Sequence, residues 1–114
     1  MPPSLSDQLS HILEAIDRIT LLLEGQSKES LAADWMRQLA LERALEVICE
    51  AARHIPETMK AKERAIDWRG MMGLGNLLRH AYHGVNIERL LMIAEKDLPP
   101  LRALVEKVMK TGGG

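Results

Sequence analysis

The sequence contains almost no aromatic residues: no Phe, 2 Trp and 1 Tyr occur among 114 residues. β-Strands favour aromatic and β-branched side chains, whereas Leu, Ala, Met, Glu, Lys and Arg, which are abundant here, favour helices. Folds that stack nucleic-acid bases on the aromatic side chains of a sheet are therefore disfavoured. We predict an all-α protein, and the chain length indicates a single domain that covers residues 1–114.

The charges of the chain nearly cancel, because 15 basic residues face 16 acidic ones. A polycationic surface that binds nucleic acid along its whole length is therefore not expected, and any nucleic acid would bind at a local site. The single cysteine, Cys49, cannot form an internal disulfide, which is typical of a reducing compartment. No signal-peptide pattern and no membrane-spanning apolar run is present, so we expect a cytoplasmic protein without a membrane partner.

Apolar residues recur at helical spacing, and capping residues, Gly and Pro separate the runs. Ser4 and Ser6 are candidate caps of the first helix, Asp67 of the third and Asn86 of the fourth. The second run carries two apolar stripes, so its helix should pack against two neighbours. Residues 57–66 form either a short helix or an ordered connection. The predicted helices comprise residues 5–23, 30–54, 68–83, 87–96 and 101–110, which together make a compact up-and-down bundle of four or five helices.

The polar residues of the third helix are the candidate site. Asn76, Arg79, His80 and His83 stand at i, i+3, i+4 and i+7, so a helix places them on one face. Imidazole exchanges protons near neutral pH, and guanidinium can bind two phosphate oxygens at once. These groups suit the cleavage of an RNA phosphodiester, in which a base activates the 2′-hydroxyl and an acid protonates the leaving oxygen.

Simpler interpretations of the same residues remain open. A short polar stripe is also typical of a solvated or interface face. A metal site is disfavoured, since neither Cys nor a nearby carboxylate completes a ligand set with His80 and His83, and no cofactor is indicated. Cys49 has no adjacent His and is interpreted as a packing residue rather than a nucleophile.

The sequence contains, in this order, Ile55-Pro56, Asp67-Trp68-Arg69, the run from Asn76 to Tyr82, Val85-Asn86 and Asp97-Leu98-Pro99. In these segments it resembles the HepT-like group of the HEPN superfamily, and the likeness extends over most of the chain. The resemblance implies a HEPN-like helical fold and a homodimeric, metal-independent RNase toxin whose active cleft forms where two motif helices meet. It also implies an MntA-type nucleotidyltransferase antitoxin as partner, which transfers AMP to a tyrosine of the toxin.

Carried over residue by residue, the resemblance makes His80 the motif histidine and Tyr82 the modified tyrosine, with Asn76 as the polar residue after the motif arginine. The position of that arginine is occupied by Gly75. Arg79 is the nearest cation on the same face and is the candidate to bind phosphate in its place. A glycine at 75 is also expected to let the motif helices of two copies approach closely.

Two functions follow as expectations. The first is a toxin endoribonuclease that cleaves RNA by 2′-hydroxyl transesterification, with His80 as acid or base, Arg79 and Asn76 at the phosphate, and His83 as a further substrate-binding residue. AMP transfer to Tyr82 would inhibit it. The alternative is a catalytically weakened helical module that binds a nucleotide or docks a nucleotidyltransferase. In either case the chain is expected to form a homodimer or a higher assembly.

Overall fold

The computed structural model describes residues 4–80 and 86–111, and within these ranges it contains helices and connections but no strand. The prediction of an all-α fold is therefore confirmed. No helix in the described ranges is both long and apolar enough to cross a membrane. The helices are α1 (Leu5–Leu23), α2 (Lys28–Ala32), α3 (Trp35–Ala52), α4 (Glu57–Lys60), α5 (Trp68–His80), α6 (Ile87–Lys96) and α7 (Leu98–Lys110).

The core lies between α1, α3, α5, α6 and α7. Helix α3 is central, since it packs against α1 on one side and α5 on the other, while α7 packs against α1 and α6. The buried side chains follow the helical repeat, and each contributes roughly 1.5–3 kcal/mol by leaving water. Fully buried members of this core are Leu9, Ile12, Leu41, Leu45, Ile48, Met71, Leu74, Leu90, Leu101 and Val105.

Short-range capping sets most of the helix starts. The Ser4 hydroxyl accepts a hydrogen bond from the Asp7 backbone N–H at 3.1 Å, and the Asp7 carboxylate accepts one from the Ser4 N–H at 3.2 Å. The Asn86 side chain likewise accepts from the Glu88 N–H at 2.7 Å. After α1 the chain turns at Gly25, whose φ of +72° lies in the left-handed region that favours glycine.

The predicted helix over residues 30–54 is wrong, because the chain breaks into α2 and α3. Asp34 ends the continuity by capping α3, with its carboxylate accepting a hydrogen bond from the Arg37 N–H at 3.1 Å. Leu31 is 2% exposed, whereas Trp35 is 67% exposed. Their shared helical spacing suggested one stripe, but the break turns the two side chains towards different surroundings.

The connection before α5 is held by Trp68, the first residue of that helix. Its indole N–H lies 3.1 Å from the carbonyl oxygens of both Lys60 and Glu63 and donates to them. This contact fixes the segment 57–66, which contains only the short α4. Trp68 is therefore the anchor of the segment that precedes the candidate site.

Asp97 holds the connection before α5 at Asp67, the residue next to Trp68. It is buried, and its carboxylate accepts a hydrogen bond from the backbone N–H of Asp67 at 3.2 Å. Helix α7 begins directly after it at Leu98 rather than at Leu101 as predicted. Proline is tolerated in a first turn, where the N–H groups have no partner within the helix, so Pro99 and Pro100 lie inside α7.

Candidate active site on helix α5

One face of α5 packs into the core. Met71, Leu74 and Gly75 are buried on the side that packs against α3, and Leu78 is half-buried. The start of the helix is capped as predicted, because the Asp67 carboxylate accepts a hydrogen bond from the Gly70 N–H at 2.9 Å. With its inner face and its first turn fixed, α5 presents its remaining side chains in defined directions.

The predicted site residues Asn76, Arg79 and His80 are all exposed. Asn76 and His80 are one turn apart on the side opposite the core face. Arg79 is rotated from His80 by about 100° around the helix axis, towards α3. There its guanidinium lies 3.9 Å from the carboxylate of Glu50. Tyr82 and His83, the two other predicted residues, lie outside the described residues.

Gly75 is buried against α3 of the same chain. A Cβ atom added at this position would lie 2.7 Å from the Cβ of Cys49, which is closer than two carbon atoms can pack. The expectation that Gly75 lets the helices of two copies approach is therefore wrong, since its close neighbour is intramolecular. The same contact leaves no room for the arginine that the family motif has at this position.

Cys49 is the packing residue that the sequence predicts. Its side chain is buried, and burial raises the pKa of the thiol to about 12. A thiol that stays protonated at neutral pH is a poor nucleophile and a poor metal ligand. Within residues 4–80 and 86–111, no cluster of three or more His, Cys, Asp or Glu side chains is close enough to hold a metal ion.

Arg79 also borders a depression on the surface of α1 and α3. This depression has a volume of about 300 Å³ and is lined by Glu50, Arg43 and His11 in addition to Arg79. It continues into an apolar groove of about 650 Å³ between α1 and α3, because His11, Arg43 and Val47 line both. Neither Asn76 nor His80 lines either depression, so the structure separates them from the surface that Arg79 borders.

A further cation reaches the outer face of α5 from α6. The guanidinium nitrogen Nη2 of Arg89 lies 3.8 Å from the position that a Cβ atom would occupy at Gly73. Gly73 is exposed and lies about one turn before Asn76 and two turns before His80. Sequence reasoning missed Arg89, because no spacing within one helix relates a residue of α6 to the face of α5.

A family model described as ribonuclease HepT-like matches residues 12–108, which include α5 and the helix α3 that packs against it. The chain belongs to the HepT-like ribonuclease family. The resemblance inferred from the motif of α5 is thereby confirmed. No solved structure gives a significant match to the chain.

Three proteins with similar sequences are described as probable or putative ribonucleases. The "Probable ribonuclease HepT" of Thermococcus cleftensis is 36% identical over 110 residues, covering 96% of this chain and 100% of the relative. A "Putative RNase" of Methanocaldococcus jannaschii is 32% identical over 100 residues, covering 88% of this chain and 92% of the relative. A "Putative RNase" of Caldanaerobacter subterraneus is 28% identical over 102 residues, covering 90% of this chain and 91% of the relative.

Proposed function

We propose that this HepT-like chain is a metal-independent endoribonuclease and the cytoplasmic toxin of a HepT/MntA-type toxin–antitoxin system. Family membership supports ribonuclease activity. The observation that carries the assignment to α5 is the exposure of His80 and Asn76 opposite the core face. Helix α5 contains two arginines and no acidic residue, so nothing on the helix itself repels a phosphodiester there.

The proposed reaction is transesterification. A base removes the proton of the 2′-hydroxyl, and the resulting oxygen attacks the adjacent phosphorus. The bond from phosphorus to the 5′-oxygen breaks, and an acid gives that oxygen a proton, so the products are a 2′,3′-cyclic phosphate and a 5′-hydroxyl. His80 takes one of the two proton-transfer roles, and Asn76 orients the phosphate. His83 is the further residue proposed to bind the substrate.

Arg79 is proposed to neutralise the charge that develops on the phosphorane. Its guanidinium already has an anionic partner, because it lies 3.9 Å from the Glu50 carboxylate. Both side chains are exposed, and an exposed ion pair is worth at most about 1 kcal/mol. A phosphate can therefore replace Glu50 at small cost, and Glu50→Gln is expected to leave Arg79 freer to bind RNA.

Two copies are proposed to form the complete site, since acid and base roles need two groups and each chain supplies one motif histidine. Leu77 is a position at which to test this contact, because it is 43% exposed and lies beside the face of Asn76 and His80. A charge there, as in Leu77→Glu, should convert a dimer to a monomer in light scattering. A Leu77→Glu protein that stays dimeric would show that copies associate elsewhere.

Control of the toxin is proposed to act through Tyr82, on the family pattern. The Tyr82 hydroxyl attacks the α-phosphorus of ATP, pyrophosphate leaves, and the hydroxyl proton passes to solvent, with the partner nucleotidyltransferase as catalyst. The added phosphate is negative and bulky, so it repels an RNA backbone. Incubation with ATP and the nucleotidyltransferase should add one AMP to wild type and none to Tyr82→Phe by intact mass. An unmodified wild-type protein would contradict this control.

The decisive test of the nuclease is RNA cleavage by wild type and His80→Ala. The matched control is His54→Ala, because His54 is an exposed histidine just after the end of α3. We expect His80→Ala to lose RNA cleavage while its circular dichroism spectrum is unchanged. His54→Ala should cleave RNA like wild type. Equal cleavage by His80→Ala and wild type would refute the assignment of the site.

The burial of Gly75 favours a second candidate function, a module that binds a nucleotide or docks a nucleotidyltransferase. Without an arginine at position 75, the phosphate is left to Arg79, which the structure turns towards Glu50. Nucleotide binding by wild type without RNA cleavage or toxicity would support this alternative. Loss of cleavage in Arg79→Ala would instead support the nuclease.

A further inference from the structure

Two cations extend the outer face of α5 away from His80. Arg69, in the first turn of the helix, is exposed and projects from the same side as Asn76 and His80, because seven residues make almost two whole turns. Arg89 reaches this side from α6 and lies over Gly73. Along the axis, Arg69 is about 16 Å and Gly73 about 10 Å from His80, at 1.5 Å per residue.

These two cations are not neutralised by neighbours in the part of the chain that the structure describes. No carboxylate there lies within ion-pair distance of Arg69 or Arg89. Glu88, the acidic residue next to Arg89, is bound by Lys28 at 2.7 Å. Every other residue of α5 is uncharged or basic. The outer face of α5 is therefore locally positive although the chain as a whole carries a net charge of −1.

We propose that Arg89 and Arg69 bind the phosphates of a single RNA strand that lies along the outer face of α5, with the scissile phosphate at His80. This inference rests on the proposed nuclease function and adds the path of the substrate. Successive phosphates of one strand rise about 3.4 Å along the axis of a duplex, and an unpaired strand can extend further per nucleotide, so the 10 Å from His80 to Gly73 spans at most about three nucleotides. Arg89 is thus a substrate-binding residue at a distance from the reacting atoms.

Gly73 is what lets Arg89 lie on this face. A Cβ atom there would make only an ordinary contact with the guanidinium, but a longer side chain would occupy the same space. The position is exposed and helical, so it tolerates substitution without a change in the core. It therefore offers a matched pair: Gly73→Glu adds a carboxylate beside Arg89, and Gly73→Gln adds the same volume without charge.

The test measures RNA binding in the His80→Ala background, where the probe is not cleaved. The probe is a fluorescent single-stranded RNA of about 12 nucleotides, and its anisotropy is followed over a series of salt concentrations. Arg89→Gln should raise Kd about three- to tenfold and lower the slope of log K against log salt by about 0.7, the value for one lost phosphate contact. Gly73→Glu should weaken binding in the same way, and Gly73→Gln should weaken it less.

The rival path is the groove between α1 and α3, which Arg43 lines. Arg43→Gln removes the same charge there and is expected to leave the salt slope unchanged. If Arg43→Gln lowers the slope and Arg89→Gln does not, the RNA follows the groove and the proposal is overturned. It is also overturned if Arg89→Gln changes only self-association in light scattering, because the face is then a contact between copies.

The failure of this inference is distinguishable from that of the proposed function. Wild type that cleaves RNA, with Arg89→Gln and Gly73→Glu unchanged in Kd and salt slope, overturns the path alone. Wild type that neither cleaves nor binds the RNA overturns both. In steady-state cleavage with wild-type His80, Arg89→Gln should raise KM and leave kcat within about twofold, since a merely structural defect would lower kcat instead.

Discussion

Substitution of Gly75 by alanine tests how closely α5 packs on α3 at the candidate site. The added methyl group would lie 2.7 Å from the Cβ of Cys49. Both positions are buried within helices, Gly75 near the middle of α5 and Cys49 in the last turn of α3, so neither backbone can yield without moving other core residues. The flexible sulfur atom is not the obstacle, because it would be 3.7 Å away. We therefore expect α5 and α3 to be pushed apart.

The change in the free energy of unfolding of Gly75→Ala is the sum of two opposing effects. Alanine in place of glycine stabilises a helix interior by up to about 1 kcal/mol. Overpacking of a core by one methyl group costs about 1–3 kcal/mol. Gly73→Ala isolates the first effect, because Gly73 lies two residues away in the same helix and its added Cβ would meet only Arg89 at 3.8 Å. Gly75→Ala should therefore be about 1–3 kcal/mol less stable than Gly73→Ala.

The assay is urea unfolding followed by far-UV circular dichroism. The free energies of unfolding of the two alanine variants are compared with one shared slope of free energy against urea concentration. A second comparison identifies the clashing atom. Cys49→Gly removes the opposing Cβ and should relieve Gly75→Ala, whereas Cys49→Ser keeps that Cβ and should not. The coupling free energy in the Gly75→Ala and Cys49→Gly cycle should reach about 1–3 kcal/mol. Equal stabilities of Gly75→Ala and Gly73→Ala would refute the close packing of the two helices.

Three further predictions concern the supports of the site. Because burial raises the pKa of Cys49 from about 9 to about 12, the folded state favours the protonated thiol. Urea titrations should show wild type losing more stability than Cys49→Ala as the pH rises from 9 towards 12, by about 1.4 kcal/mol per pH unit at most. Asp97→Ala should cost about 1–3 kcal/mol in the same assay, by leaving the Asp67 N–H without an acceptor, and Asp97→Asn should cost less. Trp68→Phe should speed hydrogen exchange in residues 60–63, because the carbonyls of Lys60 and Glu63 lose the indole donor.

The comparison of the predicted and observed helices separates local from long-range causes. Ser4, Asp67 and Asn86 were predicted as caps and are caps, because a cap acts on backbone groups two or three residues away. The other candidate at the first helix, Ser6, is wrong, because it lies inside α1. Asp34 is a cap of the same kind, yet the break before α3 was missed. There the apolar spacing continues across the break, and periodicity alone does not distinguish one bent segment from a continuous helix.

The candidate site shows the same division. The exposure of Asn76 and His80 on one face of α5 follows from spacing within one helix, which the sequence contains in full. The ion pair of Arg79 with Glu50 and the approach of Arg89 to Gly73 each join two helices. Their geometry depends on how the helices cross, and the crossing is set by the packing of whole side-chain surfaces.

The motif of α5 separates what the sequence determines from what the tertiary structure determines. By sequence alone this chain is a helical protein of the HepT-like kind, with His80 at the motif position and glycine where the motif has arginine. Only the tertiary structure decided what that glycine does: it faces Cys49 and lets α5 pack closely on α3. The physical reason is that a helix repeat determines which residues share a face, whereas the neighbour of a face is chosen by long-range packing, where a single methyl group decides whether two helices can meet.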